Sequence, residues 1–263
     1  MRQMLLSVSI AAALGLAPSG CARAPSPEPA AATPAAQPAA VAEAITDEHS
    51  YAEPDKVRTT DLALDLAVDF ATKTLSGTAT YSLEWLDRNA SQLVLDTRDI
   101  SIQKAEGLSA EGEWTTLKFE LAGKDPILGS KLTIEAPEHP TQVRVTYSTS
   151  PGASGLQWLE PSMTEGKKTP FMFSQSQQIH ARSWVPLQDT PSVRYTYGAH
   201  VTSRPDVMVL MSADNDPNAV RDGEYTFKMP QKIPSYLMAI AAGDLVFKPI
   251  SGRAGVWAEP AAV

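Results

Sequence analysis

From Thr60 the chain alternates apolar and polar residues with period two. In TTDLALDLAVDF, Leu62, Leu64, Leu66, Val68 and Phe70 fall on one side, separated by Ala, Asp and other polar residues. Successive side chains of a strand point to opposite faces, so this run predicts a strand with one buried face. KTLSGTATYSLEWL repeats the pattern. Leu75, Ala79, Tyr81, Leu83 and Trp85 share one face, and Thr74, Thr78, Thr80, Ser82 and Glu84 share the other. Ala71-Thr72-Lys73 forms a short hairpin connection between the two runs. Shorter alternating segments follow near residues 92–95, 100–102, 117–119, 132–134, 143–147, 195–201, 207–211, 224–229 and 236–241. Asp96-Thr97-Arg98-Asp99 reads as an acidic turn among them. No amphipathic helix of three turns interrupts the series. The pattern predicts an all-β, mostly antiparallel, multi-sheet domain over residues 47–255.

The first 46 residues follow other rules. Arg2 precedes an apolar run over residues 5–16, and Ser19-Gly20 leads into Cys21. Twelve apolar residues are too few to span a bilayer and suit the core of an export signal, so residues 1–21 are expected to be a signal peptide. Cys21 is the only cysteine, which excludes an intramolecular disulfide. Its setting resembles a bacterial lipobox, although Pro18 stands where that pattern prefers leucine. Lipidation at Cys21 would anchor the domain to a membrane, and Ala22 after it leans toward an outer membrane. Ordinary signal cleavage would instead give a soluble periplasmic product. Residues 22–46 are mostly Ala and Pro, with no large apolar side chains to offset ordering entropy, and read as a disordered spacer.

The charge balance narrows the partners. The chain carries 22 Lys+Arg and 30 Asp+Glu, a formal net charge of −8. Acidity without a basic patch argues against nucleic acid. The four histidines, His49, His139, His180 and His200, show no metal-ligand spacing, and neither H-E-x-x-H nor G-x-S-x-G occurs. Asp189, before Thr190-Pro191-Ser192, reads as a turn former that accepts local backbone N–H groups. The five tryptophans read first as core or seam residues.

One stretch stands apart: FSQSQQIHARSWVPLQDTPSVRYTY, residues 173–197. Gln175 and Gln177 are two apart and would share one side of an extended strand, with Ser176 and Gln178 on the other. Glutamine amides donate and accept hydrogen bonds without titrating near neutral pH, which suits holding a peptide and not transferring protons. The residues alone leave two readings open: a structural corner that satisfies buried backbone, or a polar binding ledge.

STSPGASGLQWL at 148–159 and FMFSQSQQIHARSWVPLQDTPSVRYTY at 171–197 resemble the N-terminal domain of zinc aminopeptidases of peptidase family M1. The similar branch is that of leukotriene-A(4) hydrolase, related to aminopeptidase N. The similarity continues through VMVLMSA, IPSYLMAIAAGDL, VDFATKTLSGTA and LVLDTRDISI. The resemblance implies a saddle-shaped β-domain followed by a catalytic domain with G-x-M-E-N and H-E-x-x-H. There a zinc-bound water attacks the peptide and a glutamate acts as general base. It also implies that Gln177, with Gln175 close by, reaches the N-terminal residue of a peptide substrate. Gln178 replaces a usually small residue at the same wall. His180 takes a structural role.

Neither catalytic motif occurs here, and VWAE at 256–259 reads as the opening of an interrupted element. Residues 256–263 are therefore expected to start a missing catalytic region. The chain alone is expected to have no catalytic residue, to bind no zinc and to be inactive, zinc belonging to the missing domain. The alternative is a stand-alone β-domain lipoprotein that binds peptides or a protein partner without catalysis.

Overall fold

The computed structural model describes residues 47–263. Cys21, the signal peptide and the Ala/Pro spacer lie outside the described residues.

Sixteen strands hold about half of the described residues. The first eight are β1 (Val57–Asp69), β2 (Thr74–Trp85), β3 (Gln92–Thr97), β4 (Ile100–Leu108), β5 (Trp114–Leu117), β6 (Phe119–Leu121), β7 (Ser130–Glu135) and β8 (Gln142–Thr149). The second eight are β9 (Leu156–Leu159), β10 (Phe171–Ser174), β11 (Arg194–Thr202), β12 (Met208–Met211), β13 (Glu224–Pro234), β14 (Ile240–Gly243), β15 (Val246–Ser251) and β16 (Ala254–Ala258). Four short 3-10 turns are the only helical pieces among the described residues.

The largest sheet has the order β13-β11-β1-β2-β8-β4-β5. Its register follows the period-two pattern, with Leu62 opposite Tyr81 and Leu64 opposite Ala79. Leu62, Leu64, Leu66 and Val68 of β1 are buried, as are Leu75, Ala79 and Tyr81 of β2. Each large apolar side chain so buried contributes about 1.5–3 kcal/mol. The hairpin turns at Lys73, whose φ of 56° is left-handed. One pairing departs from the antiparallel rule: β1 runs parallel to β11, with Leu62 beside Tyr197 and Leu66 beside Val201.

A four-stranded sheet, β12-β14-β10-β9, and a three-stranded sheet, β3-β7-β6, complete the core. β3 is buried on both faces from Leu93 to Thr97. The acidic turn expected at 96–99 is therefore shorter, because Asp96 and Thr97 belong to this buried strand and only Arg98-Asp99 turn. The segment expected as a strand at 236–241 also begins differently. Ser235–Leu237 is a 3-10 turn, and β14 starts only at Ile240. Pro234 ends the preceding ladder because it lacks an N–H, and the Ser235 side chain turns inward. The hairpin β15–β16 extends through position 255, with Phe247 opposite Trp257.

Candidate functional site: a glutamine ledge on a buried ionic knot

β10 is held between β9 and β14, with Ser174 paired to Leu156. The ladder continues one residue further, where Gln175 N–H donates to the Gly155 carbonyl at 2.8 Å. Ser176 then points inward. Its hydroxyl donates to the Met238 carbonyl at 2.6 Å and accepts from Trp184 Nε1 at 3.0 Å. Gln175 and Gln177, on either side of this peg, are exposed. The Gln175 side-chain oxygen accepts the Gln177 N–H at 3.3 Å.

Gln178 does not share a side with Ser176, as strict alternation would have it. The chain turns over residues 177–180, closed by the His180 N–H donating to the Ser176 carbonyl at 2.9 Å. Alternation applies only to extended chain, so Gln178 is exposed next to Gln177. The peptide bond between these two glutamines is cis.

Gln177 and Gln178 open onto a groove of about 320 Å³. Ile179 and Pro191 form its apolar wall, and Asp47, His49 and Tyr236 add polar groups from distant segments. Gln175 stands outside that lining. No local pattern marks Asp47, His49 or Tyr236, because only the fold brings 47–49 and 236 to the 177–179 turn.

Everything beneath the ledge is buried, from Ala181 to Thr190. Main-chain bonds dock this segment on β3: Asp96 and Leu187 exchange N–H···O contacts of 2.8 and 3.1 Å, and Arg98 N–H reaches the Arg182 carbonyl at 2.8 Å. Arg182 and Asp189 are fully buried, and Arg182 Nε donates to Asp189 Oδ2 at 2.9 Å. The remaining guanidinium donors reach the carbonyls of Leu128, His49 and Asp189 at 2.9, 2.7 and 3.1 Å. Asp189 also accepts from the Ser235 hydroxyl at 2.5 Å. Asp96 accepts from Ser50 Oγ at 2.5 Å, Tyr51 N at 2.7 Å and Asp189 N at 2.9 Å. Burial pushes the Asp96 carboxyl up from the ordinary carboxylate range, against the pull of nearby Arg182 and these donors.

Asp189 is thus more than a turn former. Its carboxylate is the ion partner of a guanidinium seven residues away. The signal was available in the sequence, since an Arg and an Asp lie inside the apolar run containing Trp184, Val185, Leu187 and Val193. Gln188 is a second inward-facing polar residue of this run. Its Oε1 accepts the Thr59 N–H and its Nε2 donates to the Val57 carbonyl, both at 2.8 Å. The stretch is the structural corner that one of the two readings expected. Its inward residues satisfy buried backbone, and Gln175, Gln177 and Gln178 face outward.

His180 belongs to the inner set. Its Nδ1 lies 3.1 Å from Arg98 Nη1 and 2.8 Å from Ser154 Oγ. A guanidinium can only donate, so Nδ1 is the unprotonated nitrogen. Burial and then Arg98 hold its pKa below 6.5. The remaining histidines lie apart: His139 stacks on Trp85 with ring centroids 4.5 Å apart, and His200 bridges Asp65 and Glu224. Among the described residues no group of three or more His, Cys, Asp or Glu side chains is placed to hold a metal ion. These residues do not fit a zinc site.

Residues 49–237 match the Peptidase M1 N-terminal domain. This chain belongs to that family. Leucine aminopeptidase 2 of Yarrowia lipolytica is 36% identical over 217 residues, covering 81% of this chain and 32% of the relative. The structure of yeast LTA4 hydrolase in complex with bestatin superposes with a TM-score of 0.75 at 30% identity, covering 86% of this chain and 35% of the other. An M1 zinc metallopeptidase from Deinococcus radiodurans shares the fold at a TM-score of 0.59 and 19% identity, over 80% of this chain and 48% of that one. The chain spans about a third of the length of the M1 aminopeptidase and LTA4 hydrolase it matches. The glutamine ledge falls within the matched residues.

Proposed function

We propose that this M1 N-terminal domain forms the substrate-side wall of an exported zinc aminopeptidase that removes N-terminal residues from peptides. In this reading Gln177 and Gln178 hold the peptide, Gln175 braces Gln177, and zinc and the reacting groups belong to a catalytic domain. One observation carries it: three neutral amides stand exposed, Gln175 just past the end of β10 and Gln177 and Gln178 on the turn after it, above a buried ion pair. The backbone that carries these amides is anchored, so hydrogen-bonding a peptide costs only the ordering of their side chains. Family membership supports the same assignment, and the apolar run before Cys21 supports export to a periplasmic or outer-membrane location through a lipid anchor.

The test has two arms. The purified 263-residue chain should release nothing from an aminoacyl-anilide, with or without added zinc. Zinc-dependent release would overturn the division of labour. In the protein with its catalytic domain, Gln177→Ala should raise KM and lower kcat/KM about tenfold, the loss of one or two hydrogen bonds, with zinc content unchanged. Unchanged kinetics would remove the ledge from the cleft.

A further inference from the structure

β4 and β5 meet in a tight turn at the edge of the largest sheet. Ser109 N–H donates to the Glu113 carbonyl at 2.8 Å, and Gly112, with a left-handed φ of 84°, donates its N–H to the Ser109 carbonyl at 3.1 Å. Residues 136–141, which lead from β7 into β8, are fixed at both ends. Ala136 N–H donates to the Ser91 carbonyl at 2.8 Å, and the Thr141 carbonyl accepts the Leu83 N–H at 2.9 Å. Between these ends Trp85 Nε1 donates to the Pro140 carbonyl at 3.0 Å, and the Trp85 ring stacks on His139. Hairpin and loop together line a cavity of about 440 Å³, a size that accepts a small organic molecule. Gly107 of β4 lies between the two walls. A Cβ there would stand 3.1 Å from Leu117 Cδ1 and 3.2 Å from Pro140 Cγ, so glycine lets these two apolar side chains close on the strand.

We propose that this cavity binds a small organic ammonium ion with an apolar body. Leu108, Leu117, Pro137 and Pro140 supply apolar surface, and the lining holds two carboxylates, Glu111 and Glu138, with neither lysine nor arginine. One carboxylate comes from the hairpin and the other from the loop. Arg144, in the strand that follows the loop, is engaged elsewhere. Its Nη2 lies 2.9 Å from Glu106 Oε2, and its Cζ lies 4.2 Å from the centre of the Trp114 ring. No cation in the lining therefore neutralises the two glutamates, and the net charge of −8 favours cations at the surface of this chain. A bare inorganic cation would gain nothing from the apolar walls, and a neutral molecule would gain nothing from the glutamates. Both glutamates are exposed, so each adds a modest preference for charge. The cavity shares no residue with the groove at the glutamine turn, and the inference is independent of any role for that turn.

The isotope-labelled 263-residue chain, titrated with phenethylamine and followed by NMR, tests this. The amine should give saturable shifts of the Gly107, Thr115 and Thr141 backbone amides. It should bind about fivefold more tightly than its neutral counterpart 2-phenylethanol, the size expected of two exposed ion pairs. Glu111→Gln combined with Glu138→Gln keeps the shape of both side chains and should bring that ratio to one. Equal binding of the two probes to the wild-type chain, or a ratio that survives the double substitution, would refute the assignment of charge. Tighter binding of Nα-acetyl-lysine amide than of phenethylamine would overturn the proposal in favour of a side chain from a protein partner. Shifts of the same amides on simple concentration of the protein would give the cavity to a second copy instead. No saturable shift of these amides from either phenethylamine or 2-phenylethanol would end the proposal.

Discussion

Arg182 donates its Nε to Asp189 Oδ2 across 2.9 Å, and both side chains are closed off from solvent. Removing one member of a buried pair strands the other in a low-dielectric interior, which costs about 3–5 kcal/mol. Arg182→Ala should lower stability by that amount in urea unfolding of the 263-residue chain. Arg182→Lys should recover only part of it, because one ammonium cannot reproduce donors aimed at Asp189, Leu128 and His49. Wild-type stability in both variants would mean that the knot does not anchor the corner.

Gly155 connects the two stretches that carry the family resemblance. A Cβ there would lie 2.6 Å from the His180 carbonyl oxygen and 2.7 Å from Ser183 Oγ. Gly155→Ala should therefore cost about 1–3 kcal/mol of stability and move the NMR signals of Gln177 and Gln178. An unperturbed spectrum would show that the corner yields without disturbing the ledge.

Two histidines should titrate in opposite directions. Burial and Arg98 hold His180 below 6.5, so the unfolded chain takes up its proton first as pH falls. Its contribution to stability is present above 6.5 and is lost as pH falls through the depressed value. His200 donates to Asp65 and Glu224, which raise its pKa. Its contribution is present below 6.5 and is lost as pH rises through the elevated value. NMR titration of the ring protons should place His180 below His200, and Asp65→Asn should lower only His200. The reverse order would refute both assignments.

Cys21→Ser should move the protein from the membrane fraction to the soluble fraction in a bacterial host, if Cys21 is acylated as its setting implies. A wild-type protein already in the soluble fraction would rule out the lipid anchor.

The large sheet was legible in the sequence because one of its faces is buried and the other is wet. Leu62, Leu64, Leu66 and Val68 announce their face by period alone. β3 gave less, since burial on both faces removes the alternation, and Asp96 there looked like a turn residue. The ledge was half legible. The spacing of Gln175 and Gln177 predicted their common exposure, but Gln178 lies where the chain bends and alternation lapses. Asp47, His49 and Tyr236 were out of reach, because no local pattern records that residues more than a hundred positions apart meet at one groove.

The parallel pairing of β1 with β11 sets an order of assembly. β1 and β2 are joined by a four-residue turn and can zip together as soon as both exist. β11 begins 125 residues after the end of β1, so closing that pair comes at the expense of a long loop's freedom. Until it closes, β1 presents a bare edge, and Gln188, which lies between the ledge and β11, lacks its partners Thr59 N–H and the Val57 carbonyl. The glutamine turn should be among the last parts of the domain to become ordered. Pulsed hydrogen exchange during refolding should show Gln175, whose N–H donates to the Gly155 carbonyl, protected after the β1–β2 hairpin, and simultaneous protection would contradict this order.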